Sequence, residues 1–110
     1  RKDEYVKELI LFQKKGVKTE IVLVDKLLTN ALIEARSCER FKLLSEGLDD
    51  PYLKKFYHSF MVSEAGHYRL FMDLAKLYQS DSYVKKRWED FLQFEKDLMS
   101  KLELRGDRMH

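Results

Sequence analysis

Glu64-Ala65-Gly66-His67 places a carboxylate and an imidazole three residues apart in a stretch without proline. On a helix that spacing turns the two side chains only about 60° from one another, so both leave the same face. Phe60, Met61, Tyr68 and Phe71 flank them on that face. A carboxylate and an imidazole on an aromatic stripe are expected to be buried, and a buried charge is costly unless it is paired or coordinates a metal. The pair therefore calls for a partner on a neighbouring element. Upstream, Glu34 and Glu39 are five residues apart, about 140° around a helix, so only one of them can face a given line. Glu34 shares its side with Leu27, Ala31, Cys38 and Phe41, whereas Glu39 sits with Arg36, Lys42 and Glu46. Glu34 is expected to be the inward residue, with small Ala31 and Cys38 leaving room for an ion. Hard carboxylates plus imidazole suit iron or manganese.

The elements that must position these groups are helices. The chain has 110 residues, 4 Gly and 1 Pro, is 36% charged and 45% hydrophobic. That composition suits a single folded, helix-rich domain and excludes disorder. A first helix is expected from Asp3 to Lys14, ended by Gly16. A second is expected from an N-cap at Thr19 to about Glu46, closed by Gly47, with apolar residues recurring every three or four positions from Val24 to Phe41. Asp50 before Pro51 reads as the N-cap and first position of a third helix reaching Tyr78. A fourth runs from about Ser82 to Leu104 and carries Val84, Trp88, Phe91, Leu92, Glu95, Leu98 and Met99 on one side; residues 105–110 read as an irregular tail. The second and third helices each span roughly 40 Å at 1.5 Å per residue. The short turn between them makes them antiparallel neighbours, as in a helical bundle.

The bulk numbers narrow the function classes. A net charge of +2 is not that of an evident nucleic-acid binder. The single cysteine, Cys38, allows no internal disulfide. There is no signal-peptide pattern, and the longest apolar run, Ile21 to Val24, cannot cross a bilayer. A cytoplasmic location and no membrane partner are expected. Because the chain opens at Arg1, it is expected to be part of a longer product.

One Glu on a helix followed by Glu-x-x-His on the next is half of the ligand pattern of ferritin-like di-iron proteins. The other half, a second Glu and a second Glu-x-x-His, is not found. Glu4, Glu8, Glu89 and Glu95 have no His three residues on, His58 lies about 120° from Glu64 around the helix, and His110 is terminal. The fold class expected is thus all-α, one half of a ferritin-like bundle over residues 1–110: two long antiparallel helices plus flanking ones. An N-terminal half or a second chain is needed to complete the centre.

Ile33-Glu34-Ala35-Arg36-Ser37-Cys38-Glu39-Arg40-Phe41 and Ser63-Glu64-Ala65-Gly66-His67-Tyr68 resemble the two signature segments of the tRNA 2-methylthio-isopentenyladenosine hydroxylase family, MiaE. Val24-Asp25-Lys26-Leu27-Leu28, Lys86-Arg87-Trp88-Glu89 and Arg105 to His110 extend the likeness over nearly the whole chain. Gly66 stands where some members carry Arg and others Gly. The resemblance implies a non-haem di-iron monooxygenase that hydroxylates the isopentenyl group of a hypermodified adenosine next to the tRNA anticodon. It would use two iron ions, dioxygen and an external electron donor. It implies Glu34, Glu64 and His67 as iron ligands and no catalytic residue beyond them. It implies that residues 1–110 are the C-terminal half of such a protein, without the N-terminal helices that carry the other ligands, and the 110 residues alone are then expected to be inactive. A different ferritin-like oxidoreductase, such as a ferroxidase or peroxidase, and a non-catalytic helical bundle are the competing readings.

Three further residues border the motifs. Arg36 and Arg40 could contact RNA phosphate, but ion pairing is the plainer role. Tyr68 could lie beside the metals, but core packing is the plainer role. The basic clusters Lys14-Lys15 and Lys85-Lys86-Arg87 read first as solvated helix faces and second as an RNA footprint.

Overall fold

The computed structural model describes the backbone of residues 2–108 and the side chains of residues 4–104. Four helices follow in order: α1 (Lys2–Phe12), α2 (Thr19–Gly47), α3 (Pro51–Tyr78) and α4 (Asp81–Arg108), with no strand among the described residues.

The α2–α3 hairpin is closed from both sides of its turn. Asp50 accepts hydrogen bonds from the Tyr52 and Leu53 amides at 2.8 and 3.3 Å, and Pro51 occupies the first helical position. These are the groups a helix start leaves unsatisfied. Lys54 reaches back and donates to the Leu48 carbonyl at 3.0 Å, neutralising the negative end of α2 from the first turn of α3. Gly47 is the last residue of α2 rather than its cap. Leu48 takes the cap position in an extended conformation, since Lys54 removes the need for a left-handed glycine. At the other end, Thr19 does not cap α2 either. It is the first helical residue, after an extended Lys18 that makes no side-chain cap.

α1 ends at Phe12, two residues earlier than its sequence suggests, because the next polar groups have stronger partners. The Lys14 amide donates to Asp25 Oδ2 at 2.7 Å, and the Phe12 carbonyl accepts from Arg87 at 3.3 Å. Gly16 then turns the chain with φ +69°, in the left-handed region that glycine enters without steric cost. α4 begins at Asp81, with Ser80 Oγ accepting the Tyr83 amide at 3.1 Å. It continues to Arg108 where an irregular tail was expected. A single glycine, Gly106, weakens a helix by about 1 kcal/mol, too little to stop one without a proline. Met109 and His110 lie outside the described residues.

The chain measures 49 × 38 × 19 Å, and the short dimension is two packed helices deep. α1 and α4 cover one side of the α2–α3 hairpin. Leu9, Val24, Leu28, Leu32, Ala75, Val84 and Phe91 form the fully buried core, and Phe12 stacks on Phe94 with ring centroids 4.3 Å apart. Inside that layer lies a buried ion pair. Arg87 donates to both carboxylate oxygens of Asp25 at 2.8 Å and lies over the Phe12 and Phe91 rings. The solvated reading of Lys85-Lys86-Arg87 is therefore wrong for Arg87, which is buried; Lys86 is exposed and pairs with Asp90.

The aromatic stripe of α3 also departs from its sequence reading. Phe56 is 44% exposed and Phe60 42% exposed, because no described helix covers the side of the hairpin opposite α1 and α4.

Candidate metal centre

The rotation of α2 decides what its residues can do. Asp25, Leu28, Leu32 and Arg36 face α1 and α4, through the Arg87 pair, the core and Glu95. Glu34 precedes Arg36 by two residues, about 200° of helix, so it leaves α2 on the other side and meets α3. There it joins Glu64 and His67. One ligand atom from each of the three lies within 4.8 Å of the others. His67 Nδ1 is 3.2 Å from Glu64 Oε1 and 3.7 Å from Glu34 Oε2. Toward an ionised Glu64 carboxylate that shorter contact needs the proton on Nδ1.

Burial divides the three. The Glu34 and Glu64 side chains are partly buried, whereas His67 is 51% exposed. Around α3, His67 turns about 60° from Glu64 toward the uncovered side, and Tyr68 turns about 40° toward the covered one. Tyr68 accordingly packs on Trp88, with ring centroids 5.8 Å apart. The complete burial expected for the pair does not occur, for the same reason that Phe56 and Phe60 are exposed.

Glu34 shows what the cluster lacks. Its Oε2 is shut off from solvent and accepts no hydrogen bond. Partial burial pushes its carboxyl above the usual carboxylate range, the neighbouring Glu64 pushes it further, and His67 opposes both. An orphaned buried oxygen beside a second carboxylate is stabilised by a cation between them. The donor set of two carboxylates and one imidazole fits an iron-type metal, and Cys38, whose thiol points to the Met61 carbonyl at 3.5 Å, leaves the set free of thiolate.

Arg36 is fully engaged. It donates to Glu95 at 2.7 and 2.6 Å and to Glu39 at 2.9 and 2.8 Å, and Tyr5 donates to Glu95 at 2.6 Å. Ion pairing, not a free phosphate contact, is the role of Arg36. Arg40 is exposed and donates to Ser37 at 3.0 Å. These arginines line an open cleft of about 840 Å³ with Tyr5, Glu39 and Met99. The cleft lies on the far side of α2 from Glu34, so it is not the metal cluster. Glu95 as the shared partner of Arg36 and Tyr5 escaped the sequence reading. Nothing in linear spacing links residues 5, 36 and 95; only the packing of α1 and α4 on α2 does.

A profile of the family described as tRNA-(MS[2]IO[6]A)-hydroxylase (MiaE) matches residues 2–110. A relative from Salmonella typhimurium (strain LT2), named tRNA 2-(methylsulfanyl)-N(6)-isopentenyladenosine(37) hydroxylase, is 41% identical over 87 residues, covering 77% of this chain and 32% of the relative. A relative of the same name from Pseudomonas putida (strain KT2440) is 44% identical over 66 residues, covering 60% of this chain and 32% of the relative. The chain thus spans about a third of the length of the curated relatives it matches. No solved structure matches.

Proposed function

This chain belongs to the MiaE family, and from that premise we propose that it forms part of a tRNA-modifying non-haem di-iron monooxygenase. The substrate we assign is the isopentenyl group of 2-methylthio-isopentenyladenosine next to the anticodon, by likeness to the activity for which the relatives are named. The observation that carries the reading is the orphaned Glu34 Oε2 facing Glu64 and His67, in a chain whose match to the family covers both segments.

Glu34, Glu64 and His67 would hold the iron. Bound there, iron supplies the redox chemistry with dioxygen that carbon hydroxylation needs. The remaining residues position. The Arg36–Glu95 pair, bidentate and partly buried, fixes α2 about its axis and so fixes the direction of Glu34. Charge-assisted forks of this kind are among the stronger hydrogen bonds. Tyr68 packs on Trp88 and so ties the covered side of α3 to α4. Beyond these residues the reading calls for a further Glu and Glu-x-x-His to complete the ligand set, an external electron donor and tRNA.

Iron analysis of the longest natural form of this protein, with nucleoside analysis of tRNA from a deletion strain, tests the assignment. The deletion strain should lose the hydroxylated nucleoside and accumulate the isopentenyl one. Retention of the hydroxylated nucleoside would exclude the tRNA assignment, and iron-dependent turnover without RNA would move the chain to the ferroxidase or peroxidase class.

A further inference from the structure

Val84, Trp88, Phe91, Glu95 and Leu98 follow one another along α4 at alternating steps of four and three residues, the seam by which a helix packs on its neighbours. Val84, Phe91 and Leu98 are buried, and Trp88 packs against the core. Glu95 is the charged member of this seam and is 6% exposed. Both its oxygens are engaged: Oε2 accepts from Tyr5 and from Arg36 Nε, and Oε1 accepts from Arg36 Nη2. Replacing a buried ion pair by apolar side chains is commonly neutral or stabilising, so stability alone does not account for a carboxylate here. A polar residue in an apolar seam serves instead to fix register.

The two contacts that Glu95 and Trp88 make land beside the metal cluster. Arg36 stands two residues from Glu34 on α2, and Tyr68 stands one turn from Glu64 and next to His67 on α3. Trp88 and Glu95 are seven residues apart, so they leave α4 within about 20° of each other and about 10 Å apart along its axis. One face of α4 thus grips both helices of the cluster. We propose that α4 sets the rotation of both: Glu95, acting through Arg36, aims Glu34, and Trp88, acting through Tyr68, aims Glu64 and His67. Glu95 and Trp88 are positioning residues, each working through another side chain. The inference rests on the reading of the cluster as a metal site.

Helix geometry gives the size of the effect. A carboxylate about 5 Å from the helix axis moves about 2 Å when the helix turns by 20°. That is the length of a metal–oxygen bond, whereas a site works only while its ligands stay within about 0.5 Å of place. Glu34 has no hydrogen bond at Oε2 to hold it, so its aim follows the helix. On α2 the two-bond fork to Glu95 resists that turn. On α3 a turn breaks the contact of Tyr68 with Trp88, whose ring centroids are 5.8 Å apart.

Cobaltous ion, whose visible absorption reports the geometry of its ligands, is titrated anaerobically into the longest natural form of the protein. Tyr5→Phe/Arg36→Met/Glu95→Leu removes the pair together with the hydroxyl that would lose its acceptor. The expected result is a metal-free Tm equal to or above the parent's, cobalt binding at least tenfold weaker, and an altered visible spectrum. Trp88→Ala should weaken binding and alter the spectrum in the same way. Trp88→Phe, which keeps an aromatic face for Tyr68, should restore both. Parent-like affinity and spectrum in the triple variant would overturn the role of Glu95, and the same result in Trp88→Ala would overturn that of Trp88. If the triple variant does not fold, Glu95→Gln decides, since it keeps the shape and one acceptor. Weaker binding by Glu95→Gln at parental helical content supports the proposal, and parent-like binding overturns it. If the parent itself binds neither cobaltous nor ferrous ion, the metal reading falls and this inference with it.

Discussion

Glu34 is strained by its surroundings in a way that a metal would relieve. Its carboxyl is held above the usual range by burial and by Glu64, so the ionised form costs free energy in the metal-free chain. Glu34→Gln should leave the metal-free Tm equal to the parent's or above it. The same variant should lose the metal-dependent gain, which for a bound ligand at a hundredfold excess over Kd is about 2.7 kcal/mol. Thermal melts with and without ferrous ion check both signs; a metal-free Tm well below the parent's would mean that the Glu34 carboxylate is held by something other than a cation. Tyr5 gives a pH signature. Its hydroxyl is pushed well above its ordinary value of 10.0, first by burial and then by the Glu95 carboxylate that accepts its hydrogen bond. A raised acid contributes stability that is complete below the ordinary value and lost as pH climbs past it. Stability relative to Tyr5→Phe should therefore decline above about pH 10, seen by urea unfolding at pH 8 to 11. Of these residues, Glu34, Glu64 and His67 were legible in the sequence because helical spacing alone puts them on facing stripes. Tyr5 and Glu95 were not, since a long-range polar contact leaves no periodic trace.

At the scale of elements, the hairpin was legible for the same reason. Asp50-Pro51 announces a helix start by its side-chain chemistry, and a short turn between long periodic stretches leaves only an antiparallel pair. The ends set by tertiary partners were less legible. α1 stops where Asp25 and Arg87 take its last polar groups, and Arg87 could not be told from its lysine neighbours by composition. That buried pair ties α1, α2 and α4 together. Asp25→Ala would leave the Arg87 guanidinium, 7% exposed, without its counter-ion, a loss of about 3–5 kcal/mol. Equilibrium urea unfolding measures it. A loss below about 1 kcal/mol would show that the pair is solvated in solution.

The whole molecule is a two-layer assembly with one layer shorter than the other. Around the α2–α3 turn, α3 is held among the described residues by α2, through Phe41, Tyr57 and Phe60, whereas Ala75, Val84 and Phe91 sit in the fully buried core. Native-state hydrogen exchange should therefore be fastest in α3 between Lys55 and Val62 and slowest in α2 from Val24 to Leu32 and α4 from Val84 to Phe91. Uniform protection along α3 would contradict the idea that its first half lacks a covering layer.

The closed turn also bears on how the chain comes into being. Lys54 and Asp50 secure the hairpin with contacts a few residues apart, and all three residues of the candidate metal cluster precede α4. Emerging from the ribosome, the nascent chain can bring Glu34, Glu64 and His67 together before Glu95 leaves the exit tunnel. Local contacts of this kind form fastest. Glu95 then arrives to lock, through Arg36, a geometry already sketched by the hairpin.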